Sequence, residues 1–89
     1  MATFQELKAE AIEQVVSATA RRPTPPERRR RTAEWGIDAQ LDLVKIVYEM
    51  RPRFLDDLAP NHIGVLRDMG VSSETAHALV RAFINELRG

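Results

Sequence analysis

The chain has no cysteine, only four glycines, and few aromatic side chains: three Phe, one Trp and one Tyr among 89 residues. Without cysteine there is no disulfide framework, no thiolate zinc site and no cysteine nucleophile. The scattered glycines build no phosphate-cradling loop. Long hydrophobic runs are missing as well. The longest, such as Ile46-Val47-Tyr48, have three members, far short of the ~18 residues of a membrane span. Net charge is absent too, since 13 Lys+Arg balance 13 Asp+Glu. The only histidines, His62 and His77, show no HxxxH or HExxH spacing that would bring two imidazoles to one helix face. Neither belongs to a Ser- or Asp-containing nucleophile motif. Asp56 and Asp57 point about 100° apart on a helix and make no carboxylate pair. The sequence therefore offers no catalytic set, no metal ligands and no cofactor motif, and an enzyme is not expected.

What is present is enough apolar material for one small domain over residues 1–89, with 44% hydrophobic residues. Residues 1–20 lack a basic stretch followed by an apolar one. Their Glu6, Glu10 and Glu13 outnumber Lys8, unlike an organelle transit peptide. The expected location is cytoplasmic.

No segment alternates with the period of a strand, and the fold class expected is all-α, a small bundle of four to five helices. Thr3 and Glu6 form a capping box, and Phe4, Leu7, Ala11, Val15 and Ala18 recur at helical spacing, predicting a helix over 3–20. An Arg/Pro linker over 21–25 interrupts the pattern, because prolines lack the amide donor and restrict the residue before them. Thr24 followed by Pro25 and Glu27 predicts the cap of a second, long helix over 25–51, with Gly36 a point where it can break.

Two apolar stripes run along this helix: Ile37, Leu41, Val44 and Tyr48, then Leu43, Ile46, Val47 and Met50. A helix so widely apolar needs cover on several sides, so it is either the centre of the bundle or partly a partner interface. Short helices are expected over 52–58, with Phe54, Leu55 and Leu58 inward, and over 60–69, ended by Gly70. Ser72 caps a last helix over 72–88, whose stripe is Ala76, Leu79, Val80, Phe83, Ile84 and Leu87. That stripe is core or, with the long helix, the face of a homodimer.

The strongest local departure from the mean composition is the arginine cluster. Residues 21–31 hold six Arg and one Glu, a net +5, so the remainder sums to −5. Arg28, Arg29, Arg30 and Arg31 fall in the first turns of the second helix, where the helix dipole disfavours cations by about 0.3–1 kcal/mol each. Either internal partners offset this, through Glu27–Arg31, Arg30–Glu34 and the acidic face of the first helix, or an external anion does. Trp35, one turn on, adds an aromatic anchor. The leading expectation is a non-enzymatic regulatory protein that binds a protein partner, with Arg28–Arg31 and Trp35 engaging an acidic surface.

Leu66-Arg67-Asp68-Met69-Gly70-Val71-Ser72-Ser73-Glu74-Thr75-Ala76, followed by Val80, resembles the centre of a helix-turn-helix over about residues 60–84. Leu66-x-x-Met69-Gly70-Val71 with Ala76 and Leu79 is also similar to the first loop of ubiquitin-associated domains, and a glycine-centred helical hairpin accounts for both likenesses. The helix-turn-helix resemblance implies nucleic-acid binding, with Ser73, Glu74, His77 and Arg81 at the groove. Those four include one acid and one arginine, and residues 60–89 carry three Arg against three acids, so this segment has no basic footprint of its own. A structural subunit of a larger assembly is the third expectation.

Overall fold

The computed structural model describes residues 2–51, 53 and 55–89. It holds four helices: α1 (Phe4–Ala18), α2 (Pro26–Met50), α3 (Leu55–Met69) and α4 (Ser73–Leu87). No strand occurs among the described residues. The expected all-α class is observed.

Helix α1 begins as its sequence predicts, with the Glu6 amide donating to Thr3 Oγ1 at 3.2 Å. The other half of the expected box differs: the Glu6 carboxylate accepts from the Thr3 hydroxyl at 3.3 Å. Helix α2 starts one residue later than expected. Its N-cap is Pro25, with no side-chain cap, and Pro26 opens the helix. Thr24 is therefore not the cap; its carbonyl accepts from Arg29 Nε at 3.3 Å instead.

Helix α2 runs unbroken through Gly36. A Cβ at this position would lie 2.5 Å from Met69 Cε, so the glycine makes room for the end of the Met69 side chain of α3. The two short helices expected on either side of Ala59 are one helix, with Pro60 inside it. A proline costs most in mid-helix. Here only one turn precedes it, and the first four amides of any helix lack a helical acceptor, so Pro60 removes a single further donor. Pro52 and Phe54 lie outside the described residues, and so do the side chains of Leu55 and Leu58, for which the expected placement is inward.

Helix α1 runs antiparallel to α2 and to α4, and α3 runs antiparallel to α2. Lys8 Nζ meets Asp38 Oδ1 at 2.6 Å and Arg30 pairs with Glu13, tying α1 to α2. The Phe4 and Phe83 rings lie 5.4 Å apart between α1 and α4. Helices α2 and α4 each pack against all three others, whereas α1 and α3 have little contact. The centre of the bundle is thus shared between α2 and α4. Ala11 and Val15 of α1, Ile37 and Val44 of α2, Leu66 of α3, and Leu79 and Val80 of α4 meet in one buried core. The α4 stripe is buried in this core at Ala76, Leu79, Val80 and Ile84, with Phe83 and Leu87 partly buried against it.

At 1.5 Å per residue the 25 residues of α2 span about 37 Å, most of the longest molecular dimension in 42 × 26 × 18 Å. The 18 Å thickness is that of two helix layers. Helices α1 and α3 flank α2 on one broad side, and α4 lies behind it. Among the described residues, the far face of α2 is left exposed at Trp35, Leu43, Ile46 and Met50.

Candidate functional site

The arginine cluster divides into two halves. Arg29 is half-buried and donates from Nη1 to the Val16 carbonyl at 2.9 Å and from Nε to the Thr24 carbonyl. Arg30 bonds the Glu13 carboxylate. That bond holds the Glu13 carboxyl below its ordinary range, and it raises the arginine, with a smaller push from Glu34. The apparent misplacement of cations at the start of α2 thereby resolves. Because the two helices are antiparallel, the start of α2 lies beside the end of α1, where the dipole is negative and cations are favoured.

Arg28 and Arg31 stay exposed. Arg28 also lines a cleft of about 490 Å³ together with Arg22, Thr19, Thr24, Thr32 and Asp68. Of the four clustered arginines, Arg29 and Arg30 have partners on α1, and Arg28, Arg30 and Arg31 are exposed.

Trp35 is 67% exposed, and Leu43, Ile46 and Met50 follow it at 46%, 47% and 74%. At 100° per residue these four fall within an arc of about 80° on α2, with exposed Ala39 between them. The second apolar stripe read from the sequence is this one; only its Val47 is half-buried. The first stripe is buried at Ile37, Leu41 and Val44. Arg28 and Arg31 lie on the same outward side near the helix start, and Asp42 and Glu49 lie on it toward the helix end. Val65 of α3, 40% exposed, sits within one turn of Met69 and His62, the residues through which α3 meets α2.

The α3–α4 turn has the expected chemistry. Gly70 has φ +116°, Val71 is buried, and Ser72 Oγ accepts from the Thr75 amide at 3.2 Å. Ser73, Glu74, His77 and Arg81 are exposed and share one side of α4. His77 Nδ1 lies 2.7 Å from the Ser73 carbonyl, one turn back.

Sequence reasoning missed Gln14. Its Oε1 accepts from the Ser72 amide at 2.8 Å, and its Nε2 donates to the buried Thr75 hydroxyl at 3.0 Å. This clasp locks α1 onto the turn. No local pattern marks it, because the partners are 58 and 61 residues away.

His62 Nδ1 lies 3.2 Å from Gln40 Oε1, and burial pushes the ring below its ordinary value. The folded state thus favours the neutral imidazole. The associated stability is complete above the unfolded value of about 6.5 and is lost as pH falls from there through the lowered folded value, because the unfolded chain takes up the proton first. Urea midpoints measured from pH 7 to pH 5 should fall in the wild type and fall less in His62→Gln. Identical pH dependence in the two proteins would refute this role. The Glu13 window lies lower, below its unfolded value of about 4.5.

Among the described residues there is no group of three or more His, Asp or Glu that could hold a metal ion. Among the described residues no helix is long and apolar enough to cross a membrane. The described residues define a small all-α fold of four helices with an exposed, mixed apolar and charged face on α2. No protein-family model, curated protein or solved structure matches it.

Proposed function

We propose that this chain is a non-enzymatic binding protein that docks onto an acidic surface of a protein partner through the outer face of α2. Arg28 and Arg31 supply the charge and Trp35 the aromatic anchor; Arg29 and Arg30 hold the start of the helix in place. The observation that carries this reading is the exposure of Trp35 one and two turns from two exposed arginines. Exposed Trp and Arg are the residue types that most often dominate interface energetics, because a large rigid ring and a planar five-donor fork lose little entropy for the contact they make.

The test is capture of a protein partner on immobilised chain, repeated with Arg28→Ala/Arg31→Ala. The expected result is loss of the partner with an unchanged helical circular-dichroism spectrum, since neither side chain supports the core. Retention of the partner by the double variant would overturn the assignment.

A second reading, a helix-turn-helix nucleic-acid binder, draws on the shared exposed side of Ser73, Glu74, His77 and Arg81. It expects duplex DNA binding, measured by fluorescence anisotropy, that weakens steeply between about 50 and 200 mM salt as phosphate counterions are displaced. Absence of binding at the lower salt would remove it.

A further inference from the structure

We infer that the outer face of α2 is a self-association surface: two copies of the chain pair antiparallel along α2, the Arg28–Arg31 end of each against the Asp42–Glu49 end of the other. This rests on the proposed function and names its acidic partner surface as α2 of a second copy.

The first argument is apolar. Trp35, Ala39, Leu43, Ile46 and Met50 follow one another at steps of four, four, three and four residues. They make a continuous seam about 22 Å long at 1.5 Å per residue. Exposed aliphatic residues scattered singly need no explanation, but a contiguous seam capped by Trp and Met does. Ala39, near its middle, is small enough to let a second helix approach to the usual 8–10 Å. Val65 extends the surface onto α3.

Space is the second argument. A stable interface removes about 800 Å² from each partner. The total surface is 6128 Å², and the broad side carrying α2, with α1 and α3 on its flanks, measures about 42 by 26 Å. That side can supply the required area without rearrangement.

Charge selects the occupant and its direction. On the outward side the base lies in the first turns of α2, at Arg28 and Arg31, and the acid in the second half, at Asp42 and Glu49. A parallel pair would set like charge on like. An antiparallel pair about a two-fold axis near Gln40 sets Arg31 beside Glu49 of the other copy, and does so twice by symmetry. One patch thus contains both halves of its own complement, as an isologous two-fold interface requires. Asp42 lies closest to the axis, where it meets Asp38 of the other copy, whose carboxylate already holds Lys8.

The experiment is sedimentation equilibrium of the full chain from micromolar to near-millimolar concentration. The wild type should be a dimer. Ile46→Glu should be a monomer with an unchanged helical spectrum, because Ile46 is exposed in the single chain. Arg31→Glu should weaken the dimer about tenfold or more, and adding Glu49→Arg to that variant should restore it. Since the chain has no cysteine, single thiols report direction cleanly. Ala39→Cys, near the axis, should cross-link under oxidation. Met50→Cys should not, because the two copies of residue 50 would lie about 30 Å apart along the seam.

A wild-type chain that stays monomeric throughout overturns the inference, and if it still captures an acidic protein the proposed function survives. Cross-linking at Met50→Cys, or failure of the charge swap, overturns the antiparallel arrangement. A dimer indifferent to Arg28→Ala/Arg31→Ala overturns the arginine-to-acid reading on which both proposals rest.

Discussion

Gly70→Ala is expected to destabilise the chain by about 2–5 kcal/mol, with a fall in Tm of at least about 8 °C. Two independent costs add. With φ at +116°, any L side chain is strained, by about 1–2 kcal/mol. The new Cβ would also stand 2.6 Å from Ala18 Cβ, with Val15 Cα and Gln14 O just beyond. These are atoms of α1, held against the turn by the Gln14 clasp, so they cannot simply move aside. Overpacking of this kind costs about 1–3 kcal/mol. The matched control is Gly64→Ala. Gly64 is inside α3, has nothing within 4 Å of an added Cβ and shows no positive φ. There alanine should stabilise by about 0.5–1 kcal/mol through helix propensity. Thermal melts of the two variants should move in opposite directions, and a Gly70→Ala melt matching the wild type would refute the close α1–turn contact.

Local chemistry in the sequence foretold much of this fold. The caps at Thr3 and Ser72, the turn at Gly70 and the helical period of the buried residues all depend on neighbours within one or two turns. The misreadings share a cause. Gly36 and Pro60 look like helix breakers because local propensity counts against them, yet α2 and α3 pass through both. At Gly36 the missing side chain admits Met69, a tertiary benefit invisible from residue 36. Pro60 comes so early in its helix that its missing amide costs little. Thr24 fails as a cap because the helix opens at Pro26 with Pro25 as its N-cap; the Thr24 carbonyl instead accepts from Arg29, which folds back to Val16, a contact 13 residues distant.

The candidate site was legible in composition and not in allocation. Six arginines in eleven residues stand out in any reading of the chain, but only the antiparallel placement of α1 shows that Arg29 and Arg30 are used internally. The same packing decides between the two apolar stripes of α2. Both have helical spacing, and nothing in the spacing ranks them. The stripe facing α4 became core, and the one facing away carries Trp35, Leu43, Ile46 and Met50 into solvent. A sequence pattern records that a helix has two apolar sides. It cannot record that the bundle is only two layers thick.

Leu79→Ala separates these two kinds of apolar residue most sharply. Leu79 is fully buried on α4, the helix that meets all three others from behind α2. Truncation leaves a cavity bordered by several helices, and such Leu→Ala changes cost about 2–5 kcal/mol depending on how far the walls relax. A chain of this length has a total stability of about 4–13 kcal/mol, so a large share would be lost. At about 4–8 °C per kcal/mol, Tm should fall by at least about 8 °C. Trp35→Ala removes a larger side chain from the exposed face of α2 and, melted at a concentration low enough for both it and the wild type to be monomeric, should move Tm by little, since surface changes stay within about 0.5 kcal/mol. Its effect should appear in association instead. If Trp35→Ala unfolded the chain as readily as Leu79→Ala, the outer face of α2 would be covered by the chain itself, and both proposals for that face would fall together.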